Sequence, residues 1–291
     1  MLNVYEQVSR NKTRSNILIG LFISFVTLTT LLITNSLDLD PSFTFFAFLF
    51  SAGSSIVSYF YGDKIVLGLN SAKLASRQDY FDYYTVVENL SLASQIPTPK
   101  TYIINSPSPN AFATGNSPQN AVICVTTGLL EKLNRSELEA VIAHELSHIK
   151  NYDIRLMTIV SVLLGTLTIL IRTTRRSSTR KRKSKDSAAI FQLIGFILII
   201  FAPIIAQLIQ LAISRQREYL ADSSGVKLTR QPQSLISALQ KISSDTNPLT
   251  QASTATASLY ISNPFKNDKF ASLFSTHPPI EKRIEALQSM L

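Results

Sequence analysis

The chain has 291 residues, of which 45% are hydrophobic, with a mean hydropathy of +0.17 and a formal net charge of +9. Because the apolar residues gather in four long runs, the composition predicts a multipass membrane protein. The single cysteine, Cys124, excludes an intrachain disulfide. A P-loop ATPase is also excluded, because the sequence has no Gly-x-x-x-x-Gly-Lys-Ser/Thr motif.

The first two apolar runs extend from about residue 16 to 34 and from about 43 to 61. Both are close to the ~20 residues that cross a bilayer, which predicts an N-terminal transmembrane hairpin over residues 1–61. A cleaved signal peptide is not favoured for the first run, because no small-residue cleavage site follows it.

The charges that flank this hairpin predict its orientation. Three basic residues, Arg10, Lys12 and Arg14, precede the first run. The connection to the second run carries two acidic residues, Asp38 and Asp40, and no basic residue. By the positive-inside rule the N-terminus and residues 62–291 lie in the cytoplasm. We therefore expect a cytoplasmic catalytic domain in a plasma or inner membrane protein.

Two of the three histidines lie in the run His144-Glu145-Leu146-Ser147-His148. Residues four apart share one face of a helix, so His144 and His148 can bind a single Zn²⁺. The expected role of Glu145 is general base towards a water whose pKa the zinc lowers to ~7. The alternative is two surface histidines on an ordinary helix, but the motif arises by chance in such a chain with a probability on the order of 10⁻³.

Local signals around this motif predict its surroundings. Ser136 and Glu139 have the spacing of a capping box, so we expect the helix to begin near residue 136. Upstream, residues 121–126 have the composition of a buried strand that contains Cys124. A catalytic thiol is not favoured there.

The third and fourth apolar runs extend from about 156 to 171 and from about 188 to 213, separated by a polybasic loop at 172–186. If both runs span, the loop lies outside, against the charge rule. Either the two runs form a hairpin that does not fully cross, which we favour, or the catalytic helices determine the topology. No aromatic residue interrupts the loop, so a solvated loop or contact with anionic lipid is favoured over nucleic-acid binding.

A two-histidine zinc site needs a third protein ligand. Glu218 and Asp222 are four residues apart after the fourth run, in a segment predicted to be a helix that ends at Gly225. Glu218 is the candidate ligand, and Asp222 could accept the N–H of a ligating histidine. The alternative is a solvated helix face on which neighbouring arginines pair with the two acids.

Taken together, the chain resembles the HtpX family of membrane-bound, gluzincin-type zinc metalloproteases, relatives of the CAAX prenyl endopeptidases. Three separated motifs carry this resemblance, at residues 143–153, 214–222 and 275–284. It implies a mainly α (α+β) integral membrane protein whose helical, zincin-like catalytic domain includes a small β-sheet. It also implies one Zn²⁺ per subunit bound by His144, His148 and Glu218, with Glu145 as catalytic base.

The same resemblance implies roles for two further stretches. His277 and Arg283 would lie across the cleft from the metal, where a donor stabilises the oxyanion. Residues Asn110, Ala111, Phe112 and Ala113 would form a cleft-edge strand that holds extended substrate. From the residues alone, His277 would belong to the cap region of a helix opened by two prolines, and 110–113 to a plain hairpin edge. Residues 246–263 are expected to form a flexible connection or cleft lid.

The expected function is proteolytic quality control of misfolded or surplus membrane and cytoplasmic proteins, beside an ATP-dependent membrane protease as partner. Two alternatives remain, a prenyl-protein (CAAX-type) peptidase and a non-catalytic scaffold that binds anionic lipid through the basic loop.

Overall fold

A computed structural model describes residues 4–36, 38, 40–178, 215–250, 252–253, 255–265 and 278–290. The fourth apolar run, most of the polybasic loop and His277 lie outside the described residues. Within the described part the protein is mainly helical with a small mixed sheet.

The chain begins with two long helices, α1 (Val4–Ser36) and α2 (Ser42–Leu69). Among the described residues, two stretches are long and apolar enough to cross a membrane, Val8–Ser36 and Ser42–Leu69. They contain the first two predicted runs. Most of the large exposed apolar side chains of the described chain lie on these helices, among them Leu28, Leu32, Phe45, Phe46 and Phe60. The second helix continues to Leu69, past the boundary predicted at residue 62.

The third apolar run lies in helix α6 (Asp153–Ser178). Its first turns are buried against α1, where Leu156, Ile159 and Leu163 pack on Leu18 and Phe22. Helix α6 also packs against α2. This part of the third run therefore packs against protein.

Four short strands form the sheet: β1 (Lys73–Leu74), β2 (Lys100–Ile104), β3 (Ala111–Thr114) and β4 (Val122–Thr126). Their order is β1-β2-β4-β3, with β2 and β4 parallel and the other neighbours antiparallel. The strand predicted around Cys124 is β4, and the cysteine is fully buried, which raises the pKa of its thiol. The predicted cleft-edge strand is β3, at the edge of this sheet.

The remaining helices of the described chain surround the sheet and one another. They are α3 (Phe81–Ser94), α4 (Thr127–Lys132), α5 (Arg135–Lys150), α7 (Arg215–Thr229), α8 (Pro232–Ser244) and α9 (Ile280–Gln288). Single 3₁₀ turns occur at Pro118–Asn120 and Ala257–Leu259. The central helix is α5, which contacts α3, α7, α8 and β3.

The start of α5 differs from the predicted one. The capping residue is Asn134, whose side chain accepts from the Glu137 backbone N–H at 2.9 Å, while Glu137 accepts from the Asn134 N–H at 2.8 Å. The predicted box at Ser136 and Glu139 is therefore wrong by two residues. An asparagine side chain satisfies the same orphan N–H groups as a serine, so both positions offered a plausible cap.

Candidate metal centre

Helix α5 carries His144, Glu145 and His148, all of them buried. Because the two histidines are one helical turn apart, their rings lie on the same face, edge to face with centroids 4.8 Å apart. Their Nε2 atoms are 3.2 Å apart and face each other. Adjacent ligands of one tetrahedral metal ion would have a similar spacing.

The third member of this cluster comes from α7. Glu218 places one carboxylate oxygen 3.7 Å from His144 Nε2 and the other 3.5 Å from His148 Nε2. One ligand atom from each of the three residues lies within 4.8 Å of the others. Glu218 and Asp222 are each only 1% exposed, so the solvated-face interpretation of this segment is wrong.

Close contact between α5 and α7 depends on a residue without a side chain. A Cβ added at Gly225 would lie 3.1 Å from the backbone nitrogen of His144. Helix α7 continues to Thr229, so the prediction that Gly225 ends it is wrong. The glycine lies inside the helix, where it lets the two backbones approach.

Each histidine has a carboxylate behind it. Asp222 Oδ1 lies 2.9 Å from His144 Nδ1, and Asp153 Oδ2 lies 3.1 Å from His148 Nδ1. In a neutral imidazole whose Nδ1 donates to its acid, Nε2 carries a lone pair, and in both histidines this atom faces Glu218. Three electron-rich atoms then meet in a buried space, and two imidazoles with one carboxylate are a ligand set that zinc accepts. The residues present thus fit a metal ion.

The structure brings Asp222 against His144, and it adds Asp153, which sequence reasoning missed. A carboxylate shortly after the second histidine, where α5 ends, was the available signal. Burial lowers the pKa of His148, but the hydrogen bond with Asp153 and the charges of Glu218 and Asp153 outweigh it and raise the pKa to about 9. Negative charge therefore surrounds this imidazole.

Arg283, on α9, is fully buried behind His144. Its Nε and Nη2 donate to the two oxygens of Asp222 at 2.9 and 2.6 Å. Burial favours the neutral form of Asp222, but the charge of Arg283 outweighs it and lowers the pKa of the carboxyl to about 2. The guanidinium also lies 3.9 Å from Glu218 and donates to the Ile261 carbonyl. Arg283 thus contacts two acids of the centre, whereas its role towards an oxyanion stays a prediction.

The predicted substrate strand is buried and partly covered. Ile261 N–H donates to the Ala111 carbonyl at 2.9 Å. The Asn110 side chain donates to the Ser262 carbonyl at 2.9 Å and accepts from the Ser262 N–H at 3.3 Å. Phe112 packs edge to face on Tyr260 with ring centroids 4.9 Å apart. The chain itself therefore occupies part of this sheet edge.

The covering residues belong to the segment predicted as a connection or lid. Residues 255–262 are buried, and the hydroxyls of Thr256 and Tyr260 both donate to the side chain of Asn70 at the end of α2. Over these residues the segment packs into the protein core.

A HExxH helix, a carboxylate from a second helix and a small sheet beside them define a zincin-type metallopeptidase. The chain belongs to peptidase family M48, whose family model matches residues 82–291.

Named relatives agree with this assignment. The chain is 43% identical to a "Protease HtpX homolog" of Dictyoglomus turgidum over 288 residues, 98% of this chain and 94% of that protein. It is 46% identical to one of Streptococcus equi subsp. zooepidemicus over 300 residues, 99% of this chain and all of that protein. The fold is similar to the crystal structure of S. mikatae Ste24p, with a TM-score of 0.51 and 21% identity over 96% of this chain and 66% of that chain. The protein is thus a metalloprotease of the HtpX type.

Proposed function

We propose that the protein is a membrane-bound, zinc-dependent endopeptidase that cuts loosely folded polypeptides. The observation that carries the proposal is the meeting of His144 Nε2, His148 Nε2 and a Glu218 oxygen in one buried cluster. These three residues would hold the ion, one per subunit. When bound, zinc activates water and polarises the peptide carbonyl.

The remaining chemistry belongs to Glu145. It follows His144 directly on α5 and is buried beside the cluster, and its negative charge contributes to the raised pKa values of His148 and Arg283. We propose that it is the general base that removes a proton from the attacking water. Arg283 and His277 are the proposed donors to the oxyanion, and Asp222 orients His144 by accepting from its Nδ1.

We propose that substrate binds as an extended strand beside β3, at Asn110, Ala111, Phe112 and Ala113. Backbone pairing would give broad sequence tolerance, as a quality-control protease requires. Because Ile261 already bonds the Ala111 carbonyl, a substrate must either pair beyond that residue or displace the segment around Ile261. The second route would make residues 260–262 a gate over the strand.

The proposed location is the plasma or inner membrane, with α1 and α2 as a transmembrane hairpin and the metal centre in the cytoplasm. Exposed apolar side chains along both helices support the hairpin, and the basic residues before residue 16 support its orientation. The basic residues at 172–186 would contact anionic lipid. Substrates would include misfolded membrane proteins, and an ATP-dependent membrane protease is the proposed partner.

The test compares the purified, zinc-loaded protein with Glu145→Gln for cutting of a loosely folded soluble protein in detergent. Loss of a general base should slow cutting by at least ~10²-fold while zinc content stays near one per chain. Equal rates would show that another protease does the cutting. If neither protein cuts while zinc is bound, a prenylated peptide becomes the substrate to try, and failure there too would favour the lipid-binding scaffold.

A further inference from the structure

A short, strained turn joins the metal-binding helix to the third apolar helix. Helix α5 ends at Lys150 and α6 begins at Asp153, so only Asn151 and Tyr152 lie between them. Tyr152 has a φ of +60°, in the left-handed region that non-glycine side chains avoid. Such a conformation costs on the order of 1 kcal/mol and persists only where surrounding contacts impose it.

Those contacts come from the first helix of the chain. Asn11, on α1, is only 4% exposed, and its side-chain amide donates at 2.8 Å both to the Asn151 carbonyl and to Asp153 Oδ1. The amide has two N–H groups, so both bonds can form at once. The next residue, Lys12, places its ammonium 4.3 Å from the centre of the Tyr152 ring. Asn11 and Lys12, two consecutive residues of α1, thus contact both turn residues and Asp153, the first residue of α6.

Asp153 links Asn11 to the metal centre, because its two carboxylate oxygens have different partners. Oδ1 accepts from Asn11 and, at 3.3 Å, from Arg217 on α7. Oδ2 faces His148 Nδ1 at 3.1 Å. A carboxylate held at one oxygen by two donors has little freedom to rotate, so its other oxygen stays aimed at the imidazole.

We propose that Asn11 is a positioning residue for the metal centre. It acts through Asp153, which orients the His148 ring and keeps Nε2 available as a ligand. The apolar helix α1 is thereby part of the metal-binding machinery, and its displacement weakens metal binding. The inference rests on the proposed role of His148 as a ligand.

The test measures zinc affinity of the full-length protein in detergent by competition with a chelator, with no substrate present. Loss of a partner behind a ligating histidine costs ~10- to 100-fold in metal affinity, so Asp153→Asn should fall in that range and Asn11→Ala near its lower end. Asn11→Asp keeps the size of the side chain, removes its N–H donors and sets a second negative charge beside Asp153. It should weaken binding at least as much.

The matched control is Asn16→Ala, on the same helix. The Asn16 side chain accepts from Arg155 at 3.2 Å instead of contacting the turn, so zinc affinity should be unchanged. The double variant Asn11→Ala with Asp153→Asn should bind zinc no more weakly than Asp153→Asn alone, because one residue acts through the other. A purely structural role of Asn11 would instead give additive losses.

Two results would overturn the inference: equal zinc affinity for Asn11→Ala, Asn16→Ala and the wild type, or additive losses in the double variant. The proposed metal site is checked separately by His148→Ala. Unchanged zinc affinity in that variant would contradict the site itself. Large loss with His148→Ala and none with either Asn11 variant would contradict only the role of Asn11.

Discussion

Replacing Asp222 by asparagine would leave the buried guanidinium of Arg283 without its bidentate partner. Removing one member of a buried ion pair costs ~3–5 kcal/mol. The Glu218 carboxylate remains 3.9 Å from Arg283 and reduces that loss. Independently, the fall of the Asp222 pKa from its ordinary 3.8 to about 2 corresponds to about 2 kcal/mol. We therefore expect Asp222→Asn to destabilise the protein by about 2 to 3 kcal/mol.

The assay is thermal unfolding in detergent with excess chelator, so that bound metal does not contribute to stability. The expected loss corresponds to a Tm lower by roughly 4 to 12 °C. The matched control is Asp82→Asn, which makes the same change in an exposed ion pair with Arg135 at 2.9 Å. Exposed pairs contribute little, so its Tm should change by only a degree or two.

A second variant separates the buried charge from simple loss of packing. In Asp222→Asn with Arg283→Met, no guanidinium is left unpaired, so the Tm should recover part of the loss seen with Asp222→Asn alone. A Tm for Asp222→Asn within the range of Asp82→Asn would refute the reasoning. So would a double variant less stable than both single variants.

Two further predictions concern titration and reactivity. Because the folded-state pKa of Asp222 lies below its ordinary value, its stabilisation is complete above about pH 4 and is lost as the pH falls towards 2. Over that interval the Tm of the wild type should fall by more than the Tm of Asp222→Asn. If the two curves of Tm against pH were parallel, the lowered pKa of Asp222 would be contradicted. Burial raises the pKa of the Cys124 thiol and keeps the thiol out of contact with solvent, so iodoacetamide should modify Cys124 only after unfolding. Mass spectrometry of native and unfolded samples checks this, and rapid labelling of the native protein would show that β4 opens.

The local pattern predicted the elements that depend on short-range physics. Helical spacing placed His144 and His148 on one face, and a short apolar run predicted the buried strand around Cys124. Less well predicted were the ends of the elements. Neighbouring polar residues can fill the same capping role, so the cap was predicted at Ser136 but is formed by Asn134. Gly225 was predicted to end a helix but instead lets two helices pack closely.

His144 and His148 could be named as candidate metal ligands from their spacing, because metal chemistry restricts ligands to a few residue types, whereas Glu218 rested on the resemblance to the HtpX family. The roles of Asn11 and Asp153 could not be named, because these are common polar residues whose contacts depend on which helices pack together. The sequence alone therefore determined the class of chemistry, the apolar helices and the ligand types. Only the tertiary structure decided which buried donor meets which carboxylate, since contacts between residues more than a hundred positions apart follow from packing and not from local pattern.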